Sequence, residues 1–582
     1  MTKKTGAHKL KQDLPLVKEA EPKELIPESK PGLKSWLKVV CGAGAVILVL
    51  SIYLLRLDDA VGMIVDDAWY VLLAKALATG QGYSLINSPS PGIMPFYPPG
   101  FPFLLSLVYR LWPHFPQNLW LLKAVSIAAM MGLGVLSYFY FKRDREQPPA
   151  VAFGMAVAAA TIPSLVFLAT SSVMSECVFS AIQLLSIVAM ERCVREGKGK
   201  QAWRYALLGG SLVALSFLTR SMAIGLVVAA AAYLLKARLW QSAAIYTATV
   251  VLLVGPWMLY SRAHAVTPEQ RLEQGGSIVQ SYGTQFWQQA AGYASSGTIS
   301  ADELPERVWQ NVSEIVKYDV GSSVFYSLFR TPEPGEKMRV GEASRMLSLG
   351  LSVLLLIGFI SMVHERITLA EIALPLSLAT TLTWGWEQFR LLLPLLPFFI
   401  FYLLMGVRAV QRAHQRLHHT ERVQTNSLPL LIAVCLVVVF NVQAHVKYIQ
   451  RKYNPVATER VKWVRSFEEN QEMFNWMRER LPKEEVITAQ NPALVHLYTG
   501  HKTVTFDEPA GHWEKWKQLG IRYLVRSSPY PLPHDPTENK YKLVYRQPGA
   551  LNLRIVDFGP QSSRVPWESA ASAGLAKPGS LP

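Results

Sequence analysis

The sequence predicts a polytopic α-helical membrane protein of about eleven transmembrane helices, with a small extracytoplasmic α/β domain at the C-terminal end. Three observations carry this. Half of the 582 residues are hydrophobic. The apolar residues gather in runs such as Val39 to Leu55, Leu119 to Phe141, Val151 to Ala169 and Leu347 to Val363. Each run approaches the roughly 20 residues that a helix needs to cross a hydrocarbon core of about 30 Å. In lipid the backbone must satisfy its own hydrogen bonds, so such runs become helices. Finally, most lysines and arginines flank the runs instead of forming a stripe. The net charge of +16 therefore reflects membrane topology, and nucleic acid is not an expected partner.

Residues 1–36 are polar, mixed in charge, and read as a disordered cytoplasmic tail followed by an uncleaved anchor. Spans are expected at about 37–56, 118–141, 150–170, 175–192, 204–219, 221–236, 240–260, 344–363, 367–384, 391–409 and 428–445. Alternate turns are basic: Lys142, Arg143 and Arg145; Arg192 to Arg204; Lys236 and Arg238; Arg366; and Arg408 to Arg422. That bias puts the N-terminus in the cytoplasm and the C-terminus outside a plasma (inner) membrane. Two large outer loops follow, at 57–117 and 262–345. The last, 446–560, reads as an α/β domain, with helices near Phe474 to Leu481 and Ala493 to Tyr498. Its strands are expected at Glu485 to Thr488, Ile521 to Val525, Lys542 to Tyr545 and Leu551 to Val556. Residues 561–582 are Ser/Ala/Pro/Gly-rich and read as a disordered tail.

Cys41, Cys177, Cys193 and Cys435 all fall in or beside spans, which leaves no disulfide framework or cysteine metal site. His496 and His501 lack a third ligand and read as structural. Trp463, Trp476, Trp513, Trp516 and Tyr523 offer either a carbohydrate platform or a core, and the core is the simpler reading. Were the membrane that of the endoplasmic reticulum, Asn311-Val312-Ser313 would be a glycosylation acceptor.

The first outer loop is the most informative segment. Asp66 and Asp67 stand where a helix begins, where acidic groups favour the positive end of the dipole. Tyr70 shares the face of Asp66, four residues on. Trp69, Leu72, Leu73 and Ala76 form one apolar face, as in a helix lying on a membrane surface. The charge rule brings Asp66, Asp67, Glu176, Arg220, Glu387 and Arg390 to one membrane face. Ionisable groups at span ends facing one side mark a functional site. Taken singly, each has a bland alternative: a helix start, an interfacial residue, a snorkelling arginine, or a Glu387–Arg390 pair.

The chain resembles the lipid-phosphate-sugar-dependent glycosyltransferases of the GT-C fold, above all the bacterial group of lipid A aminoarabinose transferases and protein O-mannosyltransferases. The resemblance rests on Asp66-Asp67-Ala68-Trp69-Tyr70, Gly80-Gln81-Gly82-Tyr83, Tyr97-Pro98-Pro99, Met174-Ser175-Glu176 and Leu218-Thr219-Arg220-Ser221. It continues in Gly255-Pro256-Trp257 and in Gln388-Phe389-Arg390 through Pro397, and covers about residues 37–445. It implies a sugar moved from a polyprenyl-phosphate donor to an extracytoplasmic glycan, lipid or protein acceptor, with inversion. In that reading Asp66 is general base, with Asp67 as its neighbour or substitute and Glu176 as a further carboxylate. Tyr70, Tyr97, Arg220, Glu387 and Arg390 bind substrate. Where the aminoarabinose transferases carry a lysine before the paired prolines, this chain has Tyr97, which argues against the same substrate. Some members use a divalent cation; no histidine cluster supports a dedicated site here. The alternatives are a transporter or flippase of a lipid-linked sugar, and a non-catalytic scaffold binding polyprenyl lipids.

Overall fold

The computed structural model describes residues 33–267, 270, 281–290, 297–330, 341–417, 427–505, 520–527, 542–546 and 554–557. Both expected disordered tails lie almost wholly outside the described residues, as do Trp513 and Trp516. The chain divides at Leu48 into two units. The first contributes the start of the Leu33–Arg56 helix, and all that follows concerns the second, Val49–Pro582.

Every predicted span is helical. Among the described residues eight helices are long and apolar enough to cross a membrane alone: Val39–Arg56, Leu119–Asp144, Glu176–Glu196, Lys200–Thr219, Trp240–Ala263, Glu342–Glu365, Gln388–Leu417 and Leu428–Lys452. A ninth is broken, Pro149–Ala160 meeting Pro163–Thr170 at 46°. Pro163 causes the break, because it lacks an N–H and excludes helical geometry at Ile162, whose ψ is 116°. The spans expected at 221–236 and 367–384 become Ser221–Lys236 and Leu369–Leu382, shorter than an ordinary crossing. Leu54, Leu252 and Leu259 are each more than 70 % exposed. In water such a surface would aggregate; in hydrocarbon it matches its solvent. The protein is an integral membrane protein.

Packing inside the bundle follows membrane rules. Helices Glu342–Glu365 and Leu396–Leu417 cross where Gly358 meets the Tyr402 carbonyl and Gly406 meets that of Leu354, so close that a Cβ at either glycine would overlap the facing backbone. Small residues let membrane helices approach in this way, since no hydrophobic effect drives them together in lipid. Away from the candidate site, Arg145 is buried. It pairs with Glu371 at 3.0 Å and donates to Thr368 Oγ1 (2.8 Å) and Tyr140 OH (2.8 Å). Tyr402 OH also donates to Glu371, at 2.7 Å. One of the cations that marks topology in the sequence is thus an interior structural group.

The segment 57–117 carries helices Asp66–Ala78 and Gly100–Leu111. The former corrects the expectation of a helix lying on the membrane surface: Trp69, Leu72, Leu73 and Ala76 are completely buried, and so are Val71 and Ala74 on other faces. It packs against Gly100–Leu111 and against a helix of the C-terminal domain, Pro492–Thr499. An all-round apolar helix is a core helix.

The C-terminal domain is a mixed five-stranded sheet. Its strands are β1 (Ile487–Ala489), β2 (Thr503–Thr505), β3 (Tyr523–Arg526), β4 (Lys542–Arg546) and β5 (Arg554–Asp557), in the order β2-β1-β3-β5-β4. β1 lies parallel to β2 and β3, whereas β5 is antiparallel to β3 and β4. Helix Pro492–Thr499 makes the β1-to-β2 crossover. Asn491 caps it by accepting from Leu494 N, and Gly500, with φ of 80°, ends it. β2 is missing from the sequence reading. Its free edge is met by the segment 57–117, where Thr503 N donates to Asn87 O at 2.8 Å. Trp476 packs on Tyr545, and both histidines are buried, as a structural reading requires.

Candidate active site

Helix Asp66–Ala78 starts from an unusual turn. Val65 precedes it with φ of 77°, a conformation that β-branched residues rarely adopt. Asp67 holds that turn. Its oxygens accept from the backbone N–H groups of Gly62 (2.7 Å), Ile64 (3.1 Å) and Ala68 (3.1 Å). Burial pushes the Asp67 carboxyl up to about 6, against the pull of these three donors. Asp67 is fully buried and does not line the cavity described next.

Asp66 does face that cavity, which has a volume of about 710 Å³. Its Oδ1 accepts from Tyr97 OH at 2.7 Å, and its Oδ2 pairs with Arg390 Nη2 at 2.6 Å. Burial first, and then the Asp66 charge, hold the Tyr97 phenol well above its ordinary range, so Tyr97 remains a donor. Tyr97 is itself placed by Tyr83, whose OH donates to the Tyr97 carbonyl at 2.7 Å. Tyr83 leaves the Gly80-Gln81-Gly82 turn, in which both glycines have positive φ, 74° and 73°.

Glu176 opens the Glu176–Glu196 helix after the non-helical Ser171 to Ser175 and is fully buried. Its Oε1 receives Arg390 Nε at 2.8 Å and Arg220 Nη1 at 2.9 Å, while Oε2 has no hydrogen-bond partner among the described residues. Arg220 sits at the break between Lys200–Thr219 and the 3-10 turn Ser221–Ala223, extended with φ of −149°. That break points its side chain into the cavity. Arg220 also donates to Ser175 Oγ (3.1 Å), which donates to Tyr70 OH (3.3 Å). Arg390 stands on the short helix Gln388–Leu392, whose entry is fixed by Gln388 Nε2 donating to the carbonyls of Trp384 and Trp386.

Six of the eight residues singled out in the sequence therefore line one cavity: Asp66, Tyr70, Tyr97, Arg220, Glu387 and Arg390. Glu176 lies behind it and reaches it through the two arginines. Glu387 does not pair with Arg390. It faces Arg330 Nη1 at 3.5 Å, and Arg330 Nη2 pairs with Asp319 at 3.1 Å. The Arg330 guanidinium lies 3.6 Å above the centre of the Phe389 ring. Arg330 lines the same cavity and has no signal in the sequence, being one cation in a long polar segment. Another wall is aromatic: Tyr282 lies 4.2 Å from Phe96 and 6.0 Å from Trp384, ring centre to ring centre. Trp463, read as core, is buried and also reaches the cavity, its Nε1 donating to Ser171 O at 3.2 Å.

Among the described residues no three His, Cys, Asp or Glu side chains gather to hold a metal. Asp66 and Glu176 meet guanidinium groups. The arrangement supplies one half-exposed carboxylate beside several hydrogen-bonding cations, enclosed by apolar and aromatic walls.

No family model matches the chain, and no curated protein matches it in sequence. Solved structures do resemble it. The archaeal oligosaccharyltransferase AglB from Archaeoglobus fulgidus, in complex with an inhibitory peptide and a dolichol-phosphate, matches with TM-score 0.47 and 11% identity over 84% of this chain and 70% of that one. ArnT from Cupriavidus metallidurans in the apo state matches with TM-score 0.46 and 12% identity, over 91% and 100%. ArnT from the same organism bound to undecaprenyl phosphate reaches TM-score 0.53 at 10% identity, over 92% of this chain and 100% of that one. On that last superposition, which spans nearly the whole chain, the protein has the GT-C fold expected from its motifs.

Proposed function

We propose that the protein is a membrane glycosyltransferase, moving a hexosyl or pentosyl group from a polyprenyl-phosphate donor to an extracytoplasmic acceptor with inversion at the anomeric carbon. The observation that carries this reading is the contact of Asp66 with Arg390 in a largely apolar cavity of about 710 Å³. Base and leaving-group cation stand side by side there, next to walls suited to a lipid. The acceptor oxygen bonds to the anomeric carbon as the bond from that carbon to the phosphate oxygen breaks. Asp66 takes the proton of the acceptor hydroxyl, and the lipid phosphate leaves with the bonding pair. A positioned carboxylate speeds such attack about 10²- to 10⁴-fold. Arg390 and Arg220 stabilise the charge on the departing phosphate, and Arg330 adds a further cation on the wall. Glu176 orients both arginines. The undecaprenyl phosphate of the ArnT complex supports this donor class by likeness of fold only.

The same reading places the N-terminus in the cytoplasm, and the outer loops and C-terminal domain on the far side of a plasma membrane. Phosphate recognition by the arginines asks for no metal, and a divalent cation is left to experiment. The test is release of polyprenyl phosphate by purified protein from a panel of polyprenyl-phosphate sugars, with cell-envelope extract as acceptor. Wild type releases it; Asp66→Asn binds donor but loses at least about 10²-fold in rate. No release from any donor, together with lipid-linked sugar crossing proteoliposome membranes, identifies a transporter instead.

A further inference from the structure

The C-terminal domain touches the turn that presents Asp66. Asn491 caps the Pro492–Thr499 helix through its Oδ1, which accepts from Leu494 N at 3.2 Å. The other end of the same amide points the opposite way: Nδ2 donates to the carbonyl of Gly62 at 2.6 Å. Gly62 N donates to Asp67, whose carboxylate also gathers the N–H groups of Ile64 and Ala68. Val65 N in turn faces Gly62 O at 3.4 Å. A buried relay of one amide and one carboxylate thus runs from the domain to the first turn of the helix that begins with Asp66.

Packing enforces the same contact. Gly62 has φ of 93°, which favours glycine, and a Cβ there would lie 2.5 Å from Leu494 Cδ1, so a side chain would strain the turn and displace the end of Leu494. A second element of the domain, helix Lys462–Arg480, reaches the turn through Asn470 Nδ2, 3.6 Å from Met63 Sδ. The strain at Val65 needs such support, because an unfavourable φ persists only where its surroundings over-determine it. Nothing in the outer segment alone supplies a partner for the Gly62 carbonyl as close as Asn491.

We infer that the C-terminal domain is a positioning device for the reaction centre: Asn491, acting through Gly62 and Asp67, fixes the strained turn that aims Asp66 into the cavity. The inference rests on the proposed role of Asp66 as base. Asn491 and Asp67 are positioning residues, touching neither sugar nor lipid. A misplacement of about 1 Å at a reacting group costs about 10²-fold. A loosened turn therefore lowers turnover while leaving donor recognition by Arg220 and Arg390 in place.

Asn491→Asp and Asn491→Ser test this, since both side chains cap a helix but neither keeps the amide N–H that reaches Gly62. In full-length protein in detergent, both variants fold, with an unfolding midpoint lowered by the loss of one buried hydrogen bond, and lowered further in Asn491→Asp, whose carboxylate faces the Gly62 carbonyl. Their kcat for polyprenyl-phosphate release falls about tenfold or more, with the donor KM within about twofold. Hydrogen exchange at the amides of Gly62, Ile64 and Ala68 accelerates in both. Asn491→Gln, which keeps the amide on a longer stem, recovers part of the kcat. Wild-type kcat in Asn491→Asp and Asn491→Ser overturns the inference, as does unchanged exchange at the three amides. If wild type itself releases nothing, the transferase reading falls. The exchange measurement then decides on its own whether Asn491 holds the turn.

Discussion

Arg390 Nη2 meets Asp66 Oδ2 at 2.6 Å across 324 positions of chain, and the Nε of the same guanidinium holds Glu176 Oε1 at 2.8 Å. One planar group thus joins the segment 57–117, the start of the Glu176–Glu196 helix and the turn before Leu396–Leu417. Its fork geometry is what permits this, since two donors leave in fixed, different directions.

Arg390→Lys is therefore not conservative. A lysine keeps the charge but serves one carboxylate at a time. The variant is expected to lose about 10²-fold in kcat/KM for polyprenyl-phosphate release, the scale of removing one preorganised donor from an oxyanion. Steady-state kinetics on the detergent-solubilised enzyme measure it; a loss under about threefold assigns the leaving-group role to Arg220 or Arg330.

Arg330 is already engaged by Asp319 and Glu387 and stacked on Phe389, so in the proposed reaction it acts as a recognition contact for the donor. Arg330→Gln is expected to raise donor KM about tenfold, the worth of one charged hydrogen bond, with kcat nearly unchanged. An equal fall in kcat would move Arg330 into the chemistry.

Glu371→Ala leaves the buried Arg145 with one carboxylate, Glu191 at 3.7 Å. Removing one partner of a buried pair costs about 3–5 kcal/mol, and Glu191 offsets part of that, so a drop in the thermal unfolding midpoint is expected, with donor affinity retained in the cold. Unchanged stability would mean that Glu191 balances the charge alone.

The C-terminal domain carries a pH dependence of its own. Burial pushes His496 from its ordinary value near 6.5 down to about 4, and His501 downwards as well. His496 Nδ1 faces the His501 carbonyl at 2.8 Å. The folded state then binds these protons more weakly than the unfolded chain. Stability is complete above about pH 6.5 and is lost as pH falls towards about 4. The raised Asp67 carboxyl acts with the opposite sign in the same window, so the test is the difference between variants: in circular dichroism melts from about pH 7 to 4 the midpoint of His496→Asn is expected to fall less, or rise more, than that of wild type. The same pH dependence in both would contradict the buried neutral ring.

Much of this was legible beforehand, for identifiable reasons. A long apolar run has one stable outcome in lipid, so the bundle could be read from hydropathy. Asp66, Arg220 and Arg390 stand at span ends, where a charge is conspicuous. Contacts across long stretches of chain leave no such mark. Arg145 looked like a topology signal because Glu371, its partner, is 226 positions away. Asp67 looked equivalent to Asp66 because adjacent residues share a helix start; only the backbone turn beneath shows that one carboxylate goes inward. The Asp66–Ala78 helix looked amphipathic because its second cover, the Pro492–Thr499 helix, arrives from the far end of the sequence.

The shared guanidinium of Arg390 has a consequence for the order of events. Before any substrate arrives, Asp66 Oδ2 is engaged with Arg390 and Oδ1 with Tyr97, so each oxygen of the carboxylate already accepts one strong hydrogen bond. A lipid phosphate seated on Arg390 competes for the same N–H donors and releases Oδ2. In the proposed reaction the donor thus arms its own base, and an acceptor hydroxyl arriving first meets a carboxylate still shared with Arg390 and Tyr97. That reading favours donor before acceptor.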